Sequence, residues 1–170
     1  QLPLKAHLGQ NLLVFKKELE KRSDIIVEIY DSAQLYKDKE VPQAVGSGAI
    51  EAGVASLTRF AGTNPEVDIF YLPFLFDSEE KIRKATKSGS KIRQVLDPAI
   101  SKSGAVPLYY QAYGSAVMLS NGTPMNTPAA FKNKKIRVFG KTLGAFVSSL
   151  GAKPALISGS EQYLAYQRGT

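Results

Sequence analysis

The stretch Asn133-Lys134-Lys135-Ile136-Arg137-Val138-Phe139-Gly140 puts an arginine inside a short apolar run, just before a glycine-containing turn. Read as a strand, it sends Ile136 and Val138 to one face and Arg137 to the other. Open α/β sheets bind ligands beyond the ends of their strands, which is where Arg137 falls. A planar guanidinium can hold a carboxylate through two parallel charge-assisted hydrogen bonds. The same pattern also fits an arginine paired to a surface acid. The pattern alone leaves both readings open.

Nothing else in the sequence gathers catalytic groups. There is no phosphate loop of the P-loop or dinucleotide type, and no Gly-x-Ser-x-Gly. Gly46 and Gly48 precede a predicted strand rather than a helix, which is the wrong context for phosphate. Glu51 and Asp68 stand apart from other acids and read as solvated or capping carboxylates. The chain has no cysteine, which excludes disulfides, thiolate metal sites and cysteine nucleophiles. Its single histidine, His7, gives no basis for a histidine metal site or a Ser-His-Asp triad. We therefore expect no catalytic residues, no metal site and no cofactor.

The elements that position Arg137 come from periodicity. Leu8, Leu12, Phe15 and Leu19 fall on one face of a first helix. Ile25-Ile26-Val27-Glu28-Ile29-Tyr30 is β-branched and short, so it predicts a buried strand. Pro42 suits the first turn of a second helix, which Gly46 and Gly48 stop. Ala49 to Ala55 predicts a strand. Ile69 to Phe76 is apolar but broken by Pro73, which predicts a buried turn rather than a central strand. Glu79 to Ser88 and Lys91 to Lys102 predict helices. Val106 to Ala112 and Ser115 to Ser120 predict strands.

Beyond the turn-rich loop Asn121-Gly122-Thr123-Pro124, Thr127 and Pro128 predict a short capped helix. Lys135 to Val138 follows as a strand. Leu143, Phe146, Val147 and Leu150 are spaced as a helix face, and Gly151 supplies its left-handed stop. Ala155 to Ile157 predicts a strand. Ser158 and Glu161 predict a capping box for a last helix, closed by Gly169. Strands alternating with helices at this spacing favour crossover units and a mainly parallel sheet. The second sheet would then have about two strands, too few to bury both faces, so the chain reads as incomplete.

Composition narrows the function classes. The chain has 170 residues, 44 % of them hydrophobic, which is enough for a real core and argues against disorder. No run reaches the ~18 apolar residues of a membrane-spanning helix. No leader pattern is present at the start, so a signal peptide is either absent or already removed. The net charge of +7 fits nucleic acid, anionic lipid or an anionic small ligand. The basic residues are scattered, and Lys132, Lys134, Lys135 and Arg137 are the nearest thing to a run. No nucleic-acid-binding motif is present, so nucleic acid is not an expected partner.

Three segments carry a family resemblance: Phe131 to Val138, Leu150-Gly151-Ala152-Lys153-Pro154, and Ser160 to Gly169. In order, they resemble the core signature of DctP-type solute-binding proteins of TRAP (tripartite ATP-independent periplasmic) transporters. Val27 to Leu35, Val45 to Glu51 and Leu72-Pro73-Phe74-Leu75-Phe76 resemble its earlier elements. The resemblance implies an α/β, two-lobed periplasmic-binding-protein fold of type II kind. Residues 1–120 would form the N-terminal portion of lobe I and residues 121–170 the beginning of lobe II, with the rest of the fold outside this chain. It implies capture of a small organic acid and delivery to TRAP membrane permease subunits driven by an ion gradient. It also implies an exported, periplasmic location for a protein that does not itself span the membrane and is not an enzyme.

By the same matching, Arg137 grips the ligand carboxylate. Ser56, Leu57 and Thr58 line the cleft from the first lobe, and Tyr36 and Gln10 approach it. Several positions depart from the family pattern. Ala116 stands where many members have a second arginine, Gly159 where many have an aromatic residue, and Asn133 where a glycine is usual. These departures point away from the sialic-acid and simple dicarboxylate branches. Two other readings share the two-lobed scaffold: the effector domain of a LysR-type regulator, and an enzyme such as a deaminase or cyclohexadienyl dehydratase relative. The first needs a helix-turn-helix, and the second needs converging acid and base groups. Neither feature is present in the sequence. We predict that micromolar protein leaves a DNA duplex unshifted in a mobility assay at low salt. A salt-sensitive shift would contradict the anion-carrier reading.

Overall fold

The computed structural model describes residues 3–122 and 124–169. Its helices are α1 (His7–Arg22), α2 (Val41–Gly46), α3 (Glu79–Thr86), α4 (Lys91–Ser101), α5 (Lys141–Ser149) and α6 (Gln162–Gln167). Its strands are β1 (Lys135–Val138) and β2 (Lys153–Leu156), with short 3₁₀ turns at Leu57–Phe60, Pro65–Tyr71, Pro128–Phe131 and Gly159–Glu161. The helices follow the predicted periodicities. The Ser78 and Ser90 hydroxyls also accept from the Lys81 and Arg93 amides, capping α3 and α4. Gly151 and Gly169 hold the expected left-handed conformation, with φ of 78° and 68°.

Two apolar clusters organise the chain. Val67, Leu96, Ile100 and Ala105 form one, with Leu57, Phe60, Phe70 and Ile92 packed against them. Phe131, Ile136, Val138, Val147 and Ala152 form the other, with Leu143, Phe146 and Leu150 around them. In the second, β1 and β2 pair in parallel, with Arg137 opposite Ala155 and Val138 opposite Leu156. Parallel strands need a crossover, and α5 supplies it by burying Val147. In the first, the end of α2 meets the turn after α4 backbone to backbone. A Cβ on Gly46 would lie 2.0 Å from the Ser103 carbonyl oxygen, so only glycine fits there.

Four predicted strands, 25–30, 49–55, 106–112 and 115–120, carry no strand ladder among the described residues. Other groups take their backbone or anchor their side chains. The Val27 amide donates to the Glu20 carboxylate at 2.9 Å, and the Val27 carbonyl accepts from Lys16 Nζ at 2.5 Å. The Ala49 and Ile50 amides both donate to the Ala44 carbonyl, extending the end of α2. Tyr110 donates its hydroxyl to Asp97 at 2.7 Å, and its ring lies under the Arg93 guanidinium. Apolar side chains in these segments remain in water, including Ile26 at 84 % and Val117 at 79 % exposure.

Two further expectations are corrected. The 69–76 turn is not buried, because Phe74 takes a left-handed φ of 64° and its ring is 85 % exposed. The capping box at Ser158 does not form. The Ser158 carbonyl, not its hydroxyl, accepts from the Glu161 amide, and the Glu161 carboxylate pairs with Lys37 instead. In the loop at 121–124, Thr123 lies outside the described residues.

Leu96 is 2 % exposed at the centre of the first cluster. Leu96→Ala should destabilise the protein by about 2–5 kcal/mol in denaturant unfolding. A loss below about 1 kcal/mol would contradict this packing.

Candidate ligand-binding site

Arg137 lies one residue before the end of β1, between the buried Ile136 and Val138, and its own side chain is half-buried. Parallel pairing with β2 brings the chain beyond β2 alongside it. There the Ile157 carbonyl accepts from Arg137 Nε at 3.0 Å. The guanidinium stacks on the Phe139 ring, 5.1 Å from its centroid. One nitrogen and one face are thereby fixed. Burial lowers the Arg137 pKa from its ordinary value, and the nearby Arg59 charge lowers it further. Asp38 and Tyr113 act in the opposite direction. The group stays charged at any physiological pH.

The first cluster contributes the facing side. Thr58, in the 3₁₀ turn Leu57–Phe60, is buried against Gly140, the residue that follows Phe139. A Cβ on Gly140 would lie 2.2 Å from Thr58 Oγ1. That contact brings Arg59 to the end of β1. Arg59 Nε donates to Asp38 Oδ2, and the two side chains are only 10 % and 13 % exposed. Tyr71 packs edge-on against Phe139 at 5.6 Å. Burial raises its pKa to about 12, with the Thr58 backbone amide opposing the shift. Ser56 Oγ and Tyr113 Oη share a hydrogen bond of 2.5 Å. Asp68, predicted to be solvated or capping, instead accepts from the Thr142 hydroxyl at 2.7 Å in the first turn of α5. Lys37 and Glu161 meet at 3.0 Å, both half exposed.

The structure therefore brings Arg137, Ser56 and Thr58 into one neighbourhood. Leu57 packs into the Val67 and Leu96 cluster instead. Tyr36 is half-buried two residues before Asp38. Gln10 is exposed on α1, where its amide donates to the Leu4 carbonyl at 2.7 Å. Sequence reasoning missed Asp38, Arg59, Tyr71, Tyr113 and Phe139. Arg59 directly follows the predicted Ser56-Leu57-Thr58, and Phe139 lies two residues beyond Arg137. Asp38 and Tyr113 carry no local signal, since their partners are distant in the chain. Of two open hollows, one of about 380 Å³ lies beside Phe15 and Tyr109, and one of about 530 Å³ borders the Asp68 and Thr142 pair together with Ile69 and Val95. Neither includes Arg137.

A half-buried cation thus lies at a strand end where two packed units of an α/β fold meet. Residues 2–170 match the bacterial extracellular solute-binding protein family 7, DctP, and the chain belongs to that family. It is 32 % identical over 165 residues to the C4-dicarboxylate-binding periplasmic protein DctP of Rhodobacter capsulatus, covering 95 % of this chain and 49 % of that one. The chain spans about half the length of the curated relatives it matches. A TRAP periplasmic solute-binding protein from Pseudomonas aeruginosa, solved with L-malate, superposes with a TM-score of 0.85. It is 30 % identical, and the match covers 95 % of this chain and 56 % of that one. Another from Sulfitobacter, solved with β-D-galacturonate, reaches a TM-score of 0.91 at 20 % identity, covering 99 % of this chain and 56 % of that one, and shows the shared fold.

Gly140 has φ of −166°, an ordinary extended backbone, so steric contact is what excludes a side chain there. Gly140→Ala should cost about 1–3 kcal/mol through the clash with Thr58. Thr58→Ala in the same chain should restore part of that loss. Additive losses in the double variant would show that the two residues do not touch.

Proposed function

We propose that this chain forms part of an extracytoplasmic solute-binding protein that captures a small organic acid between two lobes and hands it to a TRAP membrane permease. Family membership supports the carrier role. Arg137, half-buried at a strand end with its Nε and one face already engaged, supports the carboxylate ligand. Its remaining N–H groups suit the fork geometry of a carboxylate. The relatives' names support an acidic ligand and an exported, periplasmic location. None of the described helices is long and apolar enough to cross a membrane.

In this reading residues 1–120 belong to lobe I and residues 121–170 begin lobe II. The two separate apolar clusters support that division. Ser56 and Thr58 face the ligand from lobe I, with Leu57 supporting them from the core. Tyr36 and Gln10 stand further out as the rim.

The experiment uses the full-length gene product. A screen of small carboxylates by thermal melting comes first, since a ligand at about a hundred times its Kd adds about 2.7 kcal/mol. Arg137→Ala should then weaken binding of the best acid by about thirty-fold to several thousand-fold in calorimetric titration. Arg137→Lys should recover part of the loss, because it keeps the charge but not the fork. Both variants should melt like the unliganded wild type. Binding within threefold of wild type in a folded Arg137→Ala would remove Arg137 from the site.

A further inference from the structure

We propose that the exposed basic corner at the start of β1 and β2 rests on an anionic phospholipid surface. This goes beyond ligand capture and does not depend on the role of Arg137.

Charge is unevenly spread along the chain. Residues 121–170 hold seven of the basic residues and one acid, Glu161, and so carry +6 of the net +7. Glu161 is already paired with Lys37. The fold then gathers four of the lysines. Lys135 and Lys153 stand opposite each other at the first positions of β1 and β2. The Lys134 carbonyl accepts from the Lys153 amide at 2.7 Å. Lys132 runs past the turn before β2, where a Cβ on Gly151 would lie 3.7 Å from the Lys132 Cα. Lys135 Nζ lies 3.5 Å from the Gly169 carbonyl, which brings Arg168 to the same corner. All five residues are exposed, and none has an ion pair among the described residues. Neighbouring like charges repel, so this corner is stabilised when a negative surface lies against it.

The chemistry of the corner favours one kind of surface. A small anion is held by an arginine fork, a cavity or converging backbone amides. Neither open hollow includes any of the five cations. A protein partner is gripped through buried aromatic or apolar anchors. The chain between these lysines, Asn133 and Gly151-Ala152, offers none. A duplex is read by a helix or ribbon that enters its groove, and this is a strand end. Lysines on flexible stems act as separate point charges, which suits the dispersed phosphates of acidic headgroups. Arg137 lies two residues further along β1, toward the strand's other end, so contact at this corner leaves it free.

The test is co-sedimentation of the full-length protein, without added organic acid, with two kinds of vesicle. One is an equal mixture of phosphatidylglycerol and phosphatidylcholine; the other is phosphatidylcholine alone. Each lysine near an acidic surface strengthens binding about fivefold. Four of them predict half-binding near about millimolar acidic lipid at low salt. Neutral vesicles should leave the protein in solution, and about 0.5 M salt should release it from acidic ones. Lys132→Gln, Lys134→Gln, Lys135→Gln and Lys153→Gln together should weaken binding about hundredfold or more. Glutamine at Lys5, Lys21, Lys87 and Lys102, exposed lysines outside the corner, removes the same net charge and should cost about fivefold or less. Where the first quadruple variant melts below wild type, Lys132→Gln with Lys134→Gln, both outside the strands, carries the test with a loss of about twenty-five-fold. Equal losses from the two quadruple sets overturn the inference, because net charge and not the corner then acts. Binding to neutral vesicles as strong as to acidic ones overturns its electrostatic basis. Wild type that ignores both vesicles overturns it too, leaving the corner to a protein partner or to solvent and the reading of Arg137 untouched.

Discussion

A guanidinium half withdrawn from water beside a second guanidinium is unfavourable unless its surroundings answer both charges. The architecture around Arg137 meets that constraint. Pairing in parallel with β2 sets Arg137 opposite Ala155, so the chain leaving β2 delivers the Ile157 carbonyl to Nε. Val147 of α5 packs with Ile136 and Val138 of β1 in one apolar cluster. Phe139 supplies the π face. Arg59 sits close by because Asp38 neutralises it. With Asp38 removed, the two arginines would oppose each other in a place that excludes water.

The same neighbourhood is where the two apolar units meet, and the contacts across it differ in strength. Thr58 against Gly140 and Tyr71 against Phe139 are close-packed and specific. Asp68 with Thr142 is a single polar tie. The Lys37 and Glu161 pair is half exposed, so water and salt screen it. A seam of this kind joins two cores through few buried residues. That composition is compatible with one unit moving on the other around a ligand. In the proposed reading, a ligand held by Arg137 from one unit and by Ser56 and Tyr113 from the other would add to the seam, so binding and closure would favour each other.

Helices were legible in the sequence because each carries its own information. The spacing of Leu143, Phe146, Val147 and Leu150 is enough to orient α5, and Gly151 to end it. β1 was legible because its alternation is confirmed by burial of Ile136 and Val138. The other predicted strands show the limit of this reasoning. An apolar run such as Ile25 to Tyr30 states a preference for extended backbone, but a ladder also needs a partner. Glu20 and Lys16 take the amide and carbonyl of Val27 that a neighbouring strand would have used. At the site, Arg137 stood out because strand alternation isolates it. Asp38, Tyr71 and Tyr113 did not, because each matters only through a residue brought close by the fold. The family resemblance pointed to Ser56 and Thr58, but it gave no hint that Arg59 would be neutralised.

The central claim is that Arg137 holds a ligand carboxylate while its Nε stays on the Ile157 carbonyl. A crystal structure of the full-length protein, grown with whichever acid raises its melting temperature most, tests this directly. The account predicts carboxylate oxygens about 2.7–2.9 Å from the terminal nitrogens of Arg137, with the Ile157 contact and the Phe139 stacking kept. A ligand bound elsewhere, with Arg137 turned onto a protein carboxylate, would contradict it.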